Sequence, residues 1–423
     1  MKKALILISA TGLFLGLLNG QTYFDREIIR IEKNREVTKE LLEMNCDLLM
    51  EKDGDIYVVA SAKDMMALQA RDIPFTIESH KFYPQGGDTF RIQSGVTGEF
   101  HSYAELEQDL IALADAYPDL AQVIDIGDSL EQRNIYALKI SDNVGIMENE
   151  ASVVFLGCHH AREWISIEVP YLLGKHLVEN YATDTEVARL VNNAEIWIVP
   201  LVNPDGLEYS IHFYRYWRKN MRDNGNGTFG VDINRNYGYM WGYDNLGSSP
   251  NTGAEIYRGE APFSEPESRA VRGLFEQNDF MAMVSYHSYS QVILYPWGYT
   301  KVPSDEDAVL SAIGNEMSRL MEPVNGRYYE AARAGDGFYL TNGDTTDWSF
   351  GVYGIPSYTI ELPPTSSITG EFFNAESDIR PIFAENLPAA LYIIDWCIKE
   401  YPSQAQVSPI PARVQKRRIF RIK

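Results

Sequence analysis

Two histidines stand side by side in "GCHHAREWIS", residues 157–166, where the apolar run "SVVFLG" ends, and a glutamate follows the second histidine by three positions. A turn leaving a strand can bring the His160 imidazole and the Glu163 carboxylate to one point, as a zinc ion requires of its ligands. His159, beside His160 on an extended segment, would point the other way. His287 in "VSYHSYS" ends a second apolar strand and can supply a third ligand. Two imidazoles and one carboxylate leave a fourth position for water. That is the arrangement of a catalytic rather than a structural zinc centre, because metal-held water loses a proton near neutral pH. Glu361 in "SYTIELPP" terminates a third buried-looking strand. An acid is costly there unless it has a partner or a task, and a carboxylate beside such a water is a general base.

These residues need a scaffold that gathers strand ends, because in an open α/β sheet ligands sit at the carboxyl ends of the strands. Residues 98–402 supply the pattern: strand-like runs at "QVIDIG", "IYALKI", "ASVVFLG", "AEIWIVPLV", "MAMVSYHSY" and "SYTIEL" alternate with helices at "ISIEVPYLLGKHLVENY", "EPESRAVRGLFEQ" and "NLPAALYIIDWCIKEY". "SYAELEQDLIALADAYP" opens on Ser102 with Glu105 three residues on, a capping-box spacing. The expected fold is α/β, a mixed, largely parallel twisted sheet flanked by helices.

Ahead of it, residues 21–79 read as strand, helix, strand, strand, helix, strand, with the "DG" at 53–54 as a hairpin turn. This predicts a small α+β split βαβ unit with its helices on one face. Residues 80–97, rich in Gly, Ser and Thr, read as a linker exposed to proteolysis, so the unit in front reads as a removable prosegment. Residues 1–20, "MKKALILISATGLFLGLLNG", have the basic start and short apolar run of an export signal, which implies a secreted or periplasmic protein. No later segment is apolar for long enough to span a bilayer.

The net charge of −22 disfavours nucleic acid as a partner, since phosphate binding needs clustered Lys and Arg. The one basic cluster is the tail, residues 403–423, ending "RVQKRRIFRIK". Three cysteines do not make a disulfide framework, and buried free thiols are expected for Cys158 and Cys397.

The stretches "HAREWIS", "NPDGLEYS", "YWRKN", "GVDINRN", "SYHSYSQVILYPWGY", "DWSFG" and "YTIEL" occur in the order and at the spacing of the zinc metallocarboxypeptidases of the pancreatic A and B type. The chain resembles that family over residues 98–402, and residues 21–79 resemble its propeptide. The resemblance implies one zinc per chain on His160, Glu163 and His287. Glu361 would be the base that deprotonates the zinc-bound water and passes the proton to the leaving amine. Arg218 would polarise the scissile carbonyl and stabilise the oxyanion. Asn234 and Arg235 would hold the substrate's terminal carboxylate. Tyr339 would be the mobile tyrosine that closes over it, with Arg162 and Tyr289 contacting the substrate nearby.

In the pocket for the last side chain, Thr346, Asp344 and Ala334 are similar to the bacterial carboxypeptidase T type, which accepts apolar and basic residues. A carboxylate in the wall of a roomy pocket can pair with Lys or Arg while large apolar side chains still pack beside it. The resemblance thus implies peptide or protein C-termini as substrate, an activating protease at the linker and a monomer. It also makes bound calcium an expectation, with no assignable ligands. "EQR" at 131–133 departs from the glycine common there, and the pancreatic disulfide has no cysteines here. Two other readings remain open: a relative acting on cell-wall peptides or acyl groups with the same triad, and a former enzyme retained as a peptide-binding module.

Overall fold

The computed structural model describes residues 26–79 and 99–405, apart from 35, 38–39, 42–43, 45, 53–54, 147 and 366–371. The export signal, the "DG" turn, the linker and the tail beyond 405 lie outside the described residues.

The small N-terminal unit comprises β1 (Arg26–Glu32), β2 (Asp47–Lys52), β3 (Asp55–Ser61), α1 (Ala62–Ala70) and β4 (Thr76–Ser79). Its strands order β2-β3-β1-β4 with antiparallel neighbours, and the helix expected between the first two strands falls partly on residues outside those described. Side chains two apart on a strand share a face. Ile29 and Ile31 of β1 therefore meet Ile56, Val58 and Ala60 of β3, and Leu68 of α1 covers them.

The larger unit is built on β5 (Ala121–Asp128), β6 (Asn134–Ile140), β7 (Ala151–Leu156), β8 (Ala194–Val199), β9 (Ala282–Ser288), β10 (Val292–Tyr295), β11 (Glu330–Arg333) and β12 (Ser357–Leu362). They form one sheet in the order β11-β10-β12-β9-β7-β8-β6-β5. Its helices are α2 (Tyr103–Ala116), α3 (Ile165–Asn180), α4 (Thr185–Val191), α5 (Pro204–His212), α6 (Pro266–Gln277), α7 (Asp307–Asn325), α8 (Thr345–Tyr353) and α9 (Glu376–Ala405), with a single turn at Ala334–Gly337. The capping box of α2 is formed: Glu105 N–H donates to the Ser102 hydroxyl, and Ser102 N–H donates to the Glu105 carboxylate.

The four central strands, β8, β7, β9 and β12, run parallel, so their carboxyl ends share one edge. They are buried on both faces, which is why they read as unbroken apolar runs. Val153 and Phe155 of β7 face one core with Ile196 of β8 and Val284 of β9, while Val154 and Leu156 face the other with Val199 and Met283. Cys158 and Cys397 are buried free thiols, as expected.

Candidate active site

Where β7 ends, the chain makes a turn that only a narrow backbone permits. A Cβ at Gly157 would collide with the Ser166 carbonyl oxygen and lie 2.7 Å from that of Pro200. Cys158 follows in the left-handed region at φ 51°, which sends His159 and His160 to different sides. Glu163 N–H donates to the His160 carbonyl at 3.2 Å, closing the turn that folds the glutamate back over the histidine.

His160 Nδ1 lies 2.7 Å from Glu163 Oε1, and His287 Nδ1 lies 3.0 Å from Glu163 Oε2. The two Nδ1 atoms are 3.1 Å apart, and the ligand atoms of all three buried residues fall within 4.8 Å of one another. Two nitrogens on one tetrahedral zinc, each about 2.0–2.1 Å from it, sit about 3.3 Å apart, so the donor set fits that ion in type and spacing. Burial would raise the Glu163 carboxyl, but the two imidazoles against it hold it well below the usual carboxylate range. Among the described residues this is the one cluster of three or more His, Cys, Asp or Glu able to close on a single ion, and the calcium expectation gains no support.

Glu361 reaches the same place from β12, directly opposite His287 in the parallel pairing with β9. Its Oε2 is buried without a hydrogen-bond partner. Burial first, then the Glu163 carboxylate, push its pKa well up. Arg218 is buried nearby and donates through Nε and Nη2 to Asp232 Oδ2, at 2.9 and 2.8 Å. The other oxygen of Asp232 lies 3.3 Å from His160 Nε2. Burial acts to raise Asp232, yet Arg218, Arg235 and His160 keep it well below its ordinary value. The sequence reading quoted Asp232 inside "GVDINRN" but gave it no role. A buried aspartate two residues before Asn234 was the available signal.

The expected carboxylate-binding residues lie on the turn after Asp232. Thr345 donates to Asn234 Oδ1 from its backbone N–H at 2.9 Å and from its hydroxyl at 2.8 Å. Arg235 is 1% exposed, and its Nε and Nη1 donate to the carbonyls of Gly247 and Asn234. These contacts take two of the five guanidinium donors and leave three. Tyr339 is 39% exposed, with its ring centre 5.8 Å from the Arg235 guanidinium. Arg162 and Tyr289 meet through Phe372: the Arg162 guanidinium lies 4.4 Å from its ring centre, and the Tyr289 ring packs edge-on at 4.9 Å.

Asp344, Ala334 and Thr346 gather around one glycine and one strand. A Cβ at Gly298 would collide with Thr341 Oγ1 and lie 3.3 Å from Asp344 Oδ2 and 3.6 Å from Ala334 Cβ. Asp344 is buried rather than turned out to solvent. It is the N-cap of α8: Oδ1 accepts from Asp347 N–H at 2.8 Å, and Oδ2 accepts from the Thr341 hydroxyl at 2.7 Å. Asp347 in turn accepts from the N–H groups of Gly298 and Tyr299, tying that strand exit to α8. Thr346 Oγ1 is 2.7 Å from Thr359 Oγ1, on the β12 face that carries Glu361. Sequence reading missed Thr341, Gly298 and Asp347, because only the fold brings the three segments together.

His159 does point away from His160. It is fully buried, with Nε2 2.9 Å from the Tyr237 hydroxyl and Nδ1 3.3 Å from Ser285 Oγ. Burial, followed by the neighbouring imidazoles of His287 and His160, keeps it neutral.

The parallel strand ends carry a buried two-histidine, one-carboxylate cluster that could hold one metal ion, on an α/β fold with a mostly parallel sheet. The pattern of the zinc carboxypeptidase family matches residues 106–389, and the chain belongs to that family of metallohydrolases, which cleave C-terminal peptide bonds. It is 31% identical over 307 residues to carboxypeptidase O of Bos taurus, covering 71% of this chain and 80% of that protein. It is 34% identical over 347 residues to a zinc carboxypeptidase of Saccharothrix mutabilis subsp. capreolus, covering 76% and 78%. The crystal structure of thrombin activatable fibrinolysis inhibitor superposes with a TM-score of 0.74 at 27% identity, over 89% of this chain and all of that one. No helix among the described residues is long and apolar enough to cross a membrane.

Proposed function

We propose that the protein is exported as a zymogen and, once cut at the linker, removes apolar and basic residues from the C-termini of peptides and proteins as a monomer. The observation that carries this reading is the meeting of His160 Nδ1, His287 Nδ1 and the Glu163 carboxylate beside the unpartnered oxygen of Glu361. Zinc bound by the three would act as a Lewis acid and lower the pKa of water. Glu361 takes the proton from the attacking water and returns it to the departing amine, a task suited to a carboxyl whose pKa is raised. Arg218, held rigid by Asp232, offers its charge to the oxyanion that develops on the scissile carbonyl.

The remaining donors of Arg235, with Asn234, grip the terminal carboxylate, and the exposed Tyr339 closes over it. Arg162 and Tyr289 contact the residues that precede the cut. Asp344, Thr346 and Ala334 line the pocket for the leaving side chain. Two acceptor contacts on Asp344 are spent on the helix cap and Thr341, and its other lone pairs stay available to a Lys or Arg head group. The likeness to thrombin activatable fibrinolysis inhibitor covers 89% of the chain, whereas residues 98–402 are 305 of 423, so it extends into the N-terminal unit. That supports reading this unit as a prosegment that blocks the site.

The test is release of the last residue from matched peptides ending in Phe, Leu, Arg, Lys and Glu, by uncut and linker-cleaved protein, with and without chelator. Chelator-sensitive release of apolar and basic residues by the cleaved form alone is the expected result. Full activity before cutting overturns the zymogen, and release of none overturns the peptidase reading.

A further inference from the structure

Donors and acceptors behind His287 form a chain whose direction is set at its far end. A backbone N–H can only donate, so the Asn234 side-chain atom 2.9 Å from Thr345 N is its carbonyl oxygen. The Thr345 hydroxyl, 2.8 Å from that same oxygen, must also donate to it. Thr345 Oγ1 can then only accept from His159 Nε2 at 3.0 Å, which puts the His159 proton on Nε2. His159 Nδ1 is left as an acceptor, and the hydroxyl 3.3 Å away, that of Ser285, donates to it. Ser285 Oγ can therefore accept from His287 Nε2 at 3.1 Å, a closer contact than the Asn234 amide nitrogen makes with the same atom at 3.5 Å, and the His287 lone pair is left on Nδ1, the nitrogen turned toward Glu163 and His160. The His159 ring also stacks on that of His287, with centres 5.5 Å apart and planes 15° apart.

We propose that His159 is a positioning residue: through Ser285 it fixes the tautomer and ring plane in which His287 presents Nδ1 to the metal. Two links hold it in turn, since Tyr237 OH shares the Nε2 proton and Thr345 belongs to α8, the helix capped by Asp344. His159 touches neither metal nor substrate, and acts only by making the wrong His287 tautomer leave buried polar atoms unpaired. The inference rests on the zinc centre proposed above.

Zinc affinity of the full chain, measured by competition with a chromophoric chelator, tests it, together with the visible spectrum of the cobalt-substituted protein. His159→Phe keeps the stacked ring and removes both hydrogen bonds, and Ser285→Ala removes the relay oxygen. Each is expected to weaken zinc binding about 10–100-fold, the usual effect of losing an outer-shell partner, and to shift the cobalt bands. The double variant should be no weaker than the worse single one, because both cut the same path. His159→Asn, which returns an acceptor near the Nδ1 position, should recover most of the affinity. Parental affinity in both His159→Phe and Ser285→Ala, or losses that simply add, would overturn the proposal. Should His159→Phe fail to fold, parental affinity in Ser285→Ala overturns it alone. Absence of stoichiometric zinc from the parent protein itself instead refutes the metal centre on which it stands.

Discussion

Glu361 stands directly across from His287 in the parallel pairing of β12 with β9, so a carboxyl with one unpartnered buried oxygen lies beside a metal-type imidazole. In-register residues on neighbouring strands share a face, and this register delivers the candidate base to the candidate ligand without any loop having to hold it.

Replacing that carboxyl by an amide separates its two candidate roles. Glu361→Gln should lower kcat by about 10²–10⁴-fold while the protein still binds one zinc, measured by peptide hydrolysis and by metal analysis of the same sample. Loss of zinc together with activity would make Glu361 part of the metal site instead.

His160 bears on binding itself. His160→Ala should leave the purified protein without stoichiometric zinc, and dialysis of the parent against chelator should abolish hydrolysis until zinc is restored. Metal-free protein that still releases C-terminal residues would exclude the centre as the seat of activity.

Asp232 joins two functional side chains with one carboxylate. Asp232→Asn keeps the shape, and an amide cannot accept from Arg218 and His160 as a charged group does. A fall of about 10–100-fold in kcat/KM is expected, with a weaker hold on zinc alongside it. Steady-state kinetics and chelator competition on the same variant check both.

Asp344 caps α8 and is the candidate for selectivity toward basic residues, and two substitutions divide the two tasks. Asp344→Asn preserves a good cap and removes the charge, so release of Lys and Arg should drop about 10–100-fold while release of Phe and Leu stays near parental. Asp344→Ala should in addition cost about 1 kcal/mol of stability in thermal or denaturant unfolding. Equal losses for basic and apolar substrates in Asp344→Asn would argue against a role in selectivity.

A pH dependence of stability follows from His101, which lies 2.8 Å from Glu168 and 3.2 Å from Asp109. Burial opposes its charge, yet the two carboxylates raise its pKa from 6.5 to about 9. The contribution is full below the unfolded value of 6.5 and is lost as pH rises through about 9; it amounts to at most about 3–4 kcal/mol. His101→Gln should therefore unfold more easily than the parent at pH 6, and the gap should close by about pH 10. A gap that widens with pH would reverse the sign of the argument.

Much of the framework was legible because its signals are local. The Ser102–Glu105 box, the strand-end positions of His160, His287 and Glu361, and the alternation of strand and helix all follow from spacing along the chain. The sequence reading began α9 near Asn386, whereas the helix starts at Glu376, and its added first turns bury Ile379 and Ile382. Helix α7 was not read at all, although Leu310, Ile313, Met317 and Met321 recur at helical spacing on its buried face.

By itself, then, the sequence determined which residue types could do chemistry and on which element ends they sit, because ligand identity, strand period and capping depend on neighbours a few residues apart. Tertiary structure alone decided that Asp232 would bridge Arg218 and His160, and that Asp344 would turn inward between Thr341 and the start of α8. It also decided that His159, next to one candidate ligand in sequence, would stand behind the other, His287, in space. Each of these contacts joins segments from separate strands and loops, and it exists only once the parallel sheet has brought those ends to one edge.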